Sequence, residues 1–466
     1  MKRFLFAAAA RIGLFLFSIL LGIVSYTVVH QIGSAPLDVS LEMDGQGTVS
    51  FDPDIALDAE PFLLAKTKDP VDIVGDALGI FYILQKNGEI VRVAPEDGGA
   101  VNATGYANLA TFETDLTSGF SCLALHPHFL MKEQAGYGRF YVIAAERSGA
   151  ARADFAPEFG ASREDHQDVV YEFQVEDPLS PVFRGARREV LRFSQPGTEN
   201  NLGGLAFDYS GNLFLGVGDG GAGEIGRQST SRNASSLSNA FGKVLRIDPL
   251  GNNSINGAYG IPEGNPFQLV SKALPELWAF GLRAPQSLFF DPFQSSLCIG
   301  ETGIDGRQEI NLSLYGGEHF GWDIEASSDK MSWTDRSKLK EIVTRPLLEL
   351  DLRSGVFGRT TGSVVYRGES FPSLAGRLIF ASHDGQLIAA RQNAGKQEVN
   401  SISRIDPGRL RDKCFSALRS GPRGELVLLC DDGNVYEMRK GSTLGSGSSR
   451  QRSLYCLIPG LDGSEG

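Results

Sequence analysis

Cysteine is scarce and scattered. Five residues, Cys122, Cys298, Cys414, Cys430 and Cys456, occur in a chain of 466, which excludes the dense disulfide framework of a small secreted scaffold. The chain has no CxxC pair and no sequence cluster of Cys with His, which argues against a zinc site. Cys414 with Cys430 is one possible bridge, and an odd total leaves at least one thiol unpaired within a monomer. Positive charge is also short: 44 Lys and Arg against 56 Asp and Glu give a net charge of −12, and no basic stripe appears. Nucleic acid is therefore not an expected partner. Long amphipathic helices are missing after about residue 35, so strands must build the fold. Hydrophobic residues make up 42 %, enough for a full core, and 56 glycines against 21 prolines describe a chain that turns often without being disordered.

The N-terminus stands apart. "MKR" supplies positive charge and is followed by a run from Ile12 to His30 that is apolar nearly throughout, beyond the interruption at Arg11. That length approaches the roughly 20 residues that span a bilayer. "GSAPL" at 33–37 could be a cleavage site, but the apolar stretch is long for a removed signal peptide. The expectation is an N-terminal signal-anchor or signal peptide over residues 1–34, with the body exported. The body is then tethered on the periplasmic or extracellular side, or secreted if the segment is cleaved. A Gly/Ser-rich tail over 441–466 reads as flexible.

Between these ends a strand–turn–strand pattern recurs. The copies are "GIFYILQKNGEIVRVAP", "GRFYVIAAERS", "GLAFDYSGNLFLGVGDGG", "SLFFDPFQSSLCIGETG", "GRLIFASHDGQLIAARQ" and "GELVLLCDDGNVYEMRK". Each is an apolar run bounded by Gly, Asn, Asp or Ser. Their central strands begin near residues 80, 140, 213, 297, 378 and 426. Six irregular repeats, each too small to bury its own core, predict an all-β, six-bladed β-propeller over residues 35–440. A pair of β-sandwiches is the alternative. Loops at 149–167 and 325–345 are expected on the propeller's faces.

The segments "GFSCLALHPHF", "GGLAFDYSGNLFLGVGDGG", "FGKVLRIDP", "YGIPEGNPF", "PELWAFGLRAPQSLFFDP", "QEINLSLYGGEHFGW", "GSVVYRGESFPSLAGRLIF" and "GRLRD" follow one another in the chain. Together they resemble the glucose/sorbosone dehydrogenase family, which includes soluble quinoprotein glucose dehydrogenases and aldose sugar dehydrogenases. The resemblance implies a pyrroloquinoline quinone (PQQ) cofactor with a Ca²⁺ ion, a small sugar substrate and an electron acceptor. PQQ carries three carboxylates, so arginine clamps are expected. The resemblance places them at Arg283 of "GLRAP" and at Arg409 and Arg411 of "GRLRD", the latter two read as alternating on one side of a strand. It places an aspartate of the site at Asp219 and carbonyl ligands of the metal at Gly303 and Ile304.

Where the family has its proton-accepting His, this chain has Asn200. An amide forms hydrogen bonds but takes up no proton at working pH. Ala284 follows the motif arginine in place of a polar residue, and Thr117 or Ser118 stands where an amide or carboxylate is usual. His166 lies far upstream of Asn200; His319 and His383 sit at turns where the pocket rim is expected and are the candidates for a substitute base. His126 and His128 read as loop structure, and Glu301 with Asp305 as charge beside the metal or as turn caps. Three functions remain open: a PQQ-dependent aldose dehydrogenase impaired at Asn200, a non-catalytic propeller that binds a carbohydrate or protein, and a Ca²⁺-dependent lactonase-like hydrolase. The oligomeric state stays open.

Overall fold

The computed structural model describes residues 50–112, 115–158, 164–221, 232–303, 307–322, 343–351, 358–393 and 398–441. Strands group into six sheets. The first blade is β3 (Pro70–Gly75), β4 (Phe81–Gln85), β5 (Glu89–Pro95) and β6 (Val101–Asn108). The second is β7 (Leu116–Leu125), β8 (Arg139–Arg147), β9 (His166–Val175) and β10 (Gly185–Gln195). The third holds β11 (Leu202–Phe207), β12 (Leu213–Val217), β13 (Lys243–Ile247) and β14 (Leu277–Phe280). The fourth holds β15 (Pro285–Asp291), β16 (Ser296–Thr302), β17 (Arg307–Ser313) and β18 (Leu348–Asp351). The fifth is β19 (Thr360–Val365), β20 (Leu378–Ser382), β21 (Leu387–Gln392) and β22 (Val399–Ile405), with the short β1 (Ser50–Phe51) added in parallel on β22. The sixth is β23 (Phe415–Ser420), β24 (Leu426–Cys430) and β25 (Asn434–Lys440), completed by β2 (Ala59–Lys66) from the other end of the chain.

First strands of successive blades lie beside one another, and β23 meets β3, so the ring closes. This is the expected six-bladed propeller, and all six anticipated central strands are the second strands of their blades. Their continuous apolar reading has a physical cause. β4, β12, β20 and β24 are buried along their whole length because neighbouring blades cover both sheet faces. Aspartates set the first hairpins of the first and third blades. The Asp208 carboxylate accepts hydrogen bonds from the Ser210 and Asn212 amides, and Asp76 does the same for Leu78 and Ile80. Gly211 and Gly79 supply the positive φ, 87° and 80°, that closes each turn.

Antiparallel pairing sorts the loops between two faces. The starts of first and third strands and the ends of second and fourth strands share one face. That face receives Asn200, Asp219, Arg283, Gly303 and the 406–414 connection. The loop expected at 149–167 ends earlier than the sequence implied, because His166 already begins β9. Most of 325–345, the apolar N-terminal segment and the tail after 441 lie outside the described residues. Among the described residues, no helix is long and apolar enough to cross a membrane.

Candidate functional site

Asp219 is the centre of the site. It follows β12, is wholly buried, and its carboxylate accepts three hydrogen bonds. Asn200 Nδ2 donates at 2.9 Å and the Gly221 amide at 3.1 Å to one oxygen, and Trp322 Nε1 donates at 2.9 Å to the other. Burial raises its pKa above the usual carboxylate value, against the pull of Asn200, Trp322 and the Arg283 charge. The Asp219 amide donates to the Arg283 carbonyl at 2.8 Å, which ties the third blade to the connection leading into the fourth.

Asn200 sits in the left-handed region, at φ 53°, which asparagine tolerates better than most residues. Its close approach to the strand end needs Gly218: a Cβ there would lie 1.8 Å from the Asn200 carbonyl oxygen. Gly218→Ala is therefore expected to push the Asn200 loop off Asp219 and to cost about 1–3 kcal/mol. A shift of the urea midpoint at unchanged m-value would report it.

Arg283 is half-buried and donates through Nη1 to the carbonyls of Thr302 and Gly303, both at 3.1 Å, with its guanidinium 5.4 Å from the Trp322 ring centroid. Its Nε and Nη2 make no hydrogen bond among the described residues, so one edge of the fork remains for a ligand. That edge fits a planar anion such as a carboxylate of PQQ. The Gly303 oxygen is a hard donor of the kind Ca²⁺ takes, but Arg283 already engages it, and a Ca²⁺ ion there would stand against a guanidinium. Ile304 and Asp305 lie outside the described residues. Glu301 is no surface charge. Its carboxyl caps the Arg283 amide at 2.8 Å and accepts from Asn311 Nδ2 at 2.7 Å, and burial pushes its pKa up to about 7. Ala284 is buried and has no polar side chain; its amide donates to Glu301 at 3.4 Å.

Two expectations need correction. Arg409 and Arg411 do not alternate on a strand. Gly408–Leu410 is a 3₁₀ turn, Arg409 is exposed, and Arg411 pairs with Asp406 at 2.8 Å in the open. Gly408, at φ 59°, and Pro407 favour that turn over an extended run. Both arginines share the site's face without bonding to the Asp219–Arg283 group. Cys414 and Cys430 are not bridged: both are free thiols, one exposed and the other buried.

The histidines sort by their neighbours. His126 is buried against Phe207 on the opposite face, and burial pulls its pKa down to about 4. His319 stacks flat on Phe280 at 4.4 Å. His383 donates to Asp431 at 2.8 Å. His166, remote in sequence, reaches the Asn200–Asn201 loop through a 3.2 Å contact to the Asn201 side chain. Its other ring nitrogen lies 3.0 Å from Asp165, and Asp168 is 3.5 Å away. Burial opposes its charge, yet Asp168 and Asp165 outweigh it and raise the pKa. A raised pKa means that the charged ring stabilises the fold fully below the unfolded value, about 6.5, and that this contribution fades as pH rises through the folded value. His166→Gln is expected to lower stability by about 1–3 kcal/mol near pH 5.5 and by progressively less above neutrality, read from urea midpoints across pH. His166 thus ties the loop to β9 through the Asn201 side chain. Together with Trp322, which sequence reading quoted in "GGEHFGW" but gave no role, it was missed because its partners come from other blades.

Residues 70–437 match the family described as Glucose / Sorbosone dehydrogenase. The aldose sugar dehydrogenase YliI of Escherichia coli is 30 % identical over 268 residues, 56 % of this chain and 64 % of that protein. The HIPL1 protein of Arabidopsis thaliana is 28 % identical over 261 residues, covering 50 % of this chain and 36 % of its own length. The matched region thus spans less than two thirds of either relative. Among solved structures, the apo-form of the soluble E. coli aldose sugar dehydrogenase superposes with a TM-score of 0.58 at 20 % identity, over 82 % of this chain and 99 % of that one. The PQQ domain of a Coprinopsis cinerea pyranose dehydrogenase superposes with a TM-score of 0.51 at 11 % identity, over 84 % and 100 %. Likeness at those identities establishes the shared propeller, and the match along nearly the whole ring establishes the lineage: the chain belongs to the glucose/sorbosone dehydrogenase family.

Proposed function

We propose that this chain is a PQQ-dependent aldose dehydrogenase whose proton-abstracting residue has been replaced by an amide, leaving a slow enzyme with an intact binding face. The observation that carries the reading is the Asn200–Asp219–Trp322 network beside the Arg283 guanidinium. Bound PQQ would supply the hydride acceptor for oxidation of an aldose to its lactone. Arg283 would hold an anionic group of the cofactor, with Trp322 supporting the guanidinium from one side. Asn200 spends its N–H₂ on Asp219, so its Oδ1 is left to accept a hydrogen bond from a sugar hydroxyl. It orients that hydroxyl but cannot take the proton, which must pass to solvent. Loss of a general base costs about 10²- to 10⁴-fold in rate. The Gly303 carbonyl is poorly suited to Ca²⁺, since Arg283 already donates to it.

Export rests on the apolar run after "MKR", which would place the propeller outside the cytoplasm and pass electrons to a respiratory acceptor. Protease protection in intact cells tests that placement. For the activity, the purified protein is given PQQ with and without Ca²⁺, and sugar-dependent dye reduction is followed over a panel of aldoses. Slow, PQQ-dependent turnover is the expected result. Tight sugar or PQQ binding without turnover would favour the second reading, a non-catalytic carbohydrate-binding propeller, for which the amide at position 200 is the specific support.

A further inference from the structure

The site's face carries a second cluster, built from residues far apart in the chain. His383 follows β20, Cys414 precedes β23 and Asp431 follows β24, so three loops of the fifth and sixth blades contribute one residue each. One potential ligand atom from each lies within 4.8 Å of the other two, and His383 Nε2 is 2.8 Å from Asp431 Oδ2. We propose that His383, Cys414 and Asp431 form a binding site for a borderline-soft divalent metal of the Zn²⁺ class, separate from the Gly303 carbonyl and independent of the PQQ reading.

Three observations support it. The backbone presets the cluster: the Phe415 amide donates to the His383 carbonyl and the Asp431 amide to the Cys414 carbonyl, both at 3.1 Å. The Cys414–Phe415 pair is thereby stitched between the other two ligands, and the pairing of Phe415 with Cys430 across β23 and β24 fixes that register. Second, cysteine is usually buried, whereas Cys414 is an exposed free thiol, and it meets the imidazole–carboxylate pair. Third, the donor set is one thiolate, one imidazole and one carboxylate, which suits Zn²⁺ and selects against Ca²⁺ and Mg²⁺. Zn–N and Zn–O bonds of about 2.1 Å and a Zn–S bond of about 2.3 Å separate tetrahedral ligand atoms by about 3.4–3.6 Å. The His–Asp pair at 2.8 Å must open slightly and the thiol, within 4.8 Å of both, must settle to bonding distance, which rotamer adjustment of exposed side chains can supply. Solvent exposure of His383 and Asp431, each 45 % exposed, leaves the fourth position to water. Metal binding would also fasten the fifth blade to the sixth, the blade that closes the ring.

The test uses the full-length chain in detergent, reduced and stripped with a chelator, then titrated with Co²⁺ as a spectroscopic probe. The expected result is a thiolate-to-metal charge-transfer absorption that saturates at one Co²⁺ per chain and is displaced by Zn²⁺. Cys414→Ala should abolish the band while leaving the circular dichroism unchanged, because the side chain is exposed. His383→Ala and Asp431→Ala should each weaken Co²⁺ binding by about 100-fold or more, beyond the 10- to 100-fold loss typical of outer-shell partners. Cys456→Ala should keep the band. A second readout is melting: Zn²⁺ should raise the Tm of the wild type and not of Cys414→Ala. No band in the wild type, a band that survives Cys414→Ala, or a band lost in Cys456→Ala would each overturn the assignment. So would unchanged affinity in His383→Ala or Asp431→Ala.

Discussion

Asn200→His is expected to raise the kcat of the PQQ-loaded protein on its preferred aldose by about 10²- to 10⁴-fold, the usual return on a positioned general base. The surroundings for such a base are already built. Asn200 Nδ2 lies 2.9 Å from Asp219 Oδ1, and an imidazole N–H entering that place would be held by the same carboxylate. The other ring nitrogen would then face the ligand as a proton acceptor. The backbone also permits the change, since His shares the tolerance of Asn for the φ of 53° seen here. The variant's kcat should acquire a limb that rises with pH near the ordinary His pKa of about 6.5, and the wild type should lack that limb. Asn200→Ala separates orientation from proton transfer. It should raise KM by weakening the hydrogen bond to the sugar, with kcat changed far less than by His. A folded Asn200→His protein that binds PQQ and sugar yet reduces no dye would sink the dehydrogenase reading and leave the pocket as a binding site.

How far the sequence reached can be judged from particular residues. The six second strands were legible because each is covered on both faces and so reads as a continuous apolar run, as in "FYILQ" and "LVLLC". Closure of the ring by β2 on β25 was not legible, since pairing between the two ends of a chain leaves no local signal. Within the site, Asn200, Asp219, Arg283 and Gly303 do converge, although each belongs to a different turn. The strand read for Arg409 and Arg411 is instead a 3₁₀ turn, because i, i+2 spacing means one side only on a strand and a Pro-Gly start turns this segment. Trp322 and His166 were invisible for the same reason that they matter: their hydrogen bonds to Asp219 and Asn201 cross between blades. The His383–Cys414–Asp431 group shows the limit most clearly. A metal search by close spacing rejects it, and only the convergence of strand ends on one face brings it together.

Asp219→Ala should be the most destabilising single change in the site, by about 3–5 kcal/mol, because it strands several donors at once. The groups left behind set the size of the loss. Removing the carboxylate strips acceptors from Asn200 Nδ2, Trp322 Nε1 and the Gly221 amide together. A buried donor without a partner costs about 1–3 kcal/mol. Asn200 is only partly buried and can recover water, so the sum falls short of three full penalties. Asp219→Asn sets an intermediate expectation of about 1–3 kcal/mol, because an amide keeps one acceptor and turns an N–H₂ toward a donor that needs an oxygen. If that donor is Trp322, adding Trp322→Phe to Asp219→Asn should cost less than the two single changes predict, since the indole N–H would no longer face another donor. Urea midpoints and m-values for the four proteins decide the matter. Equal stability of Asp219→Ala and wild type would mean that the raised pKa reports a carboxylate whose burial cost cancels its hydrogen bonds. The network would then serve the ligand and not the fold, and the expectation for Asn200→His would gain weight, because Asp219 would have been kept for what it holds in place.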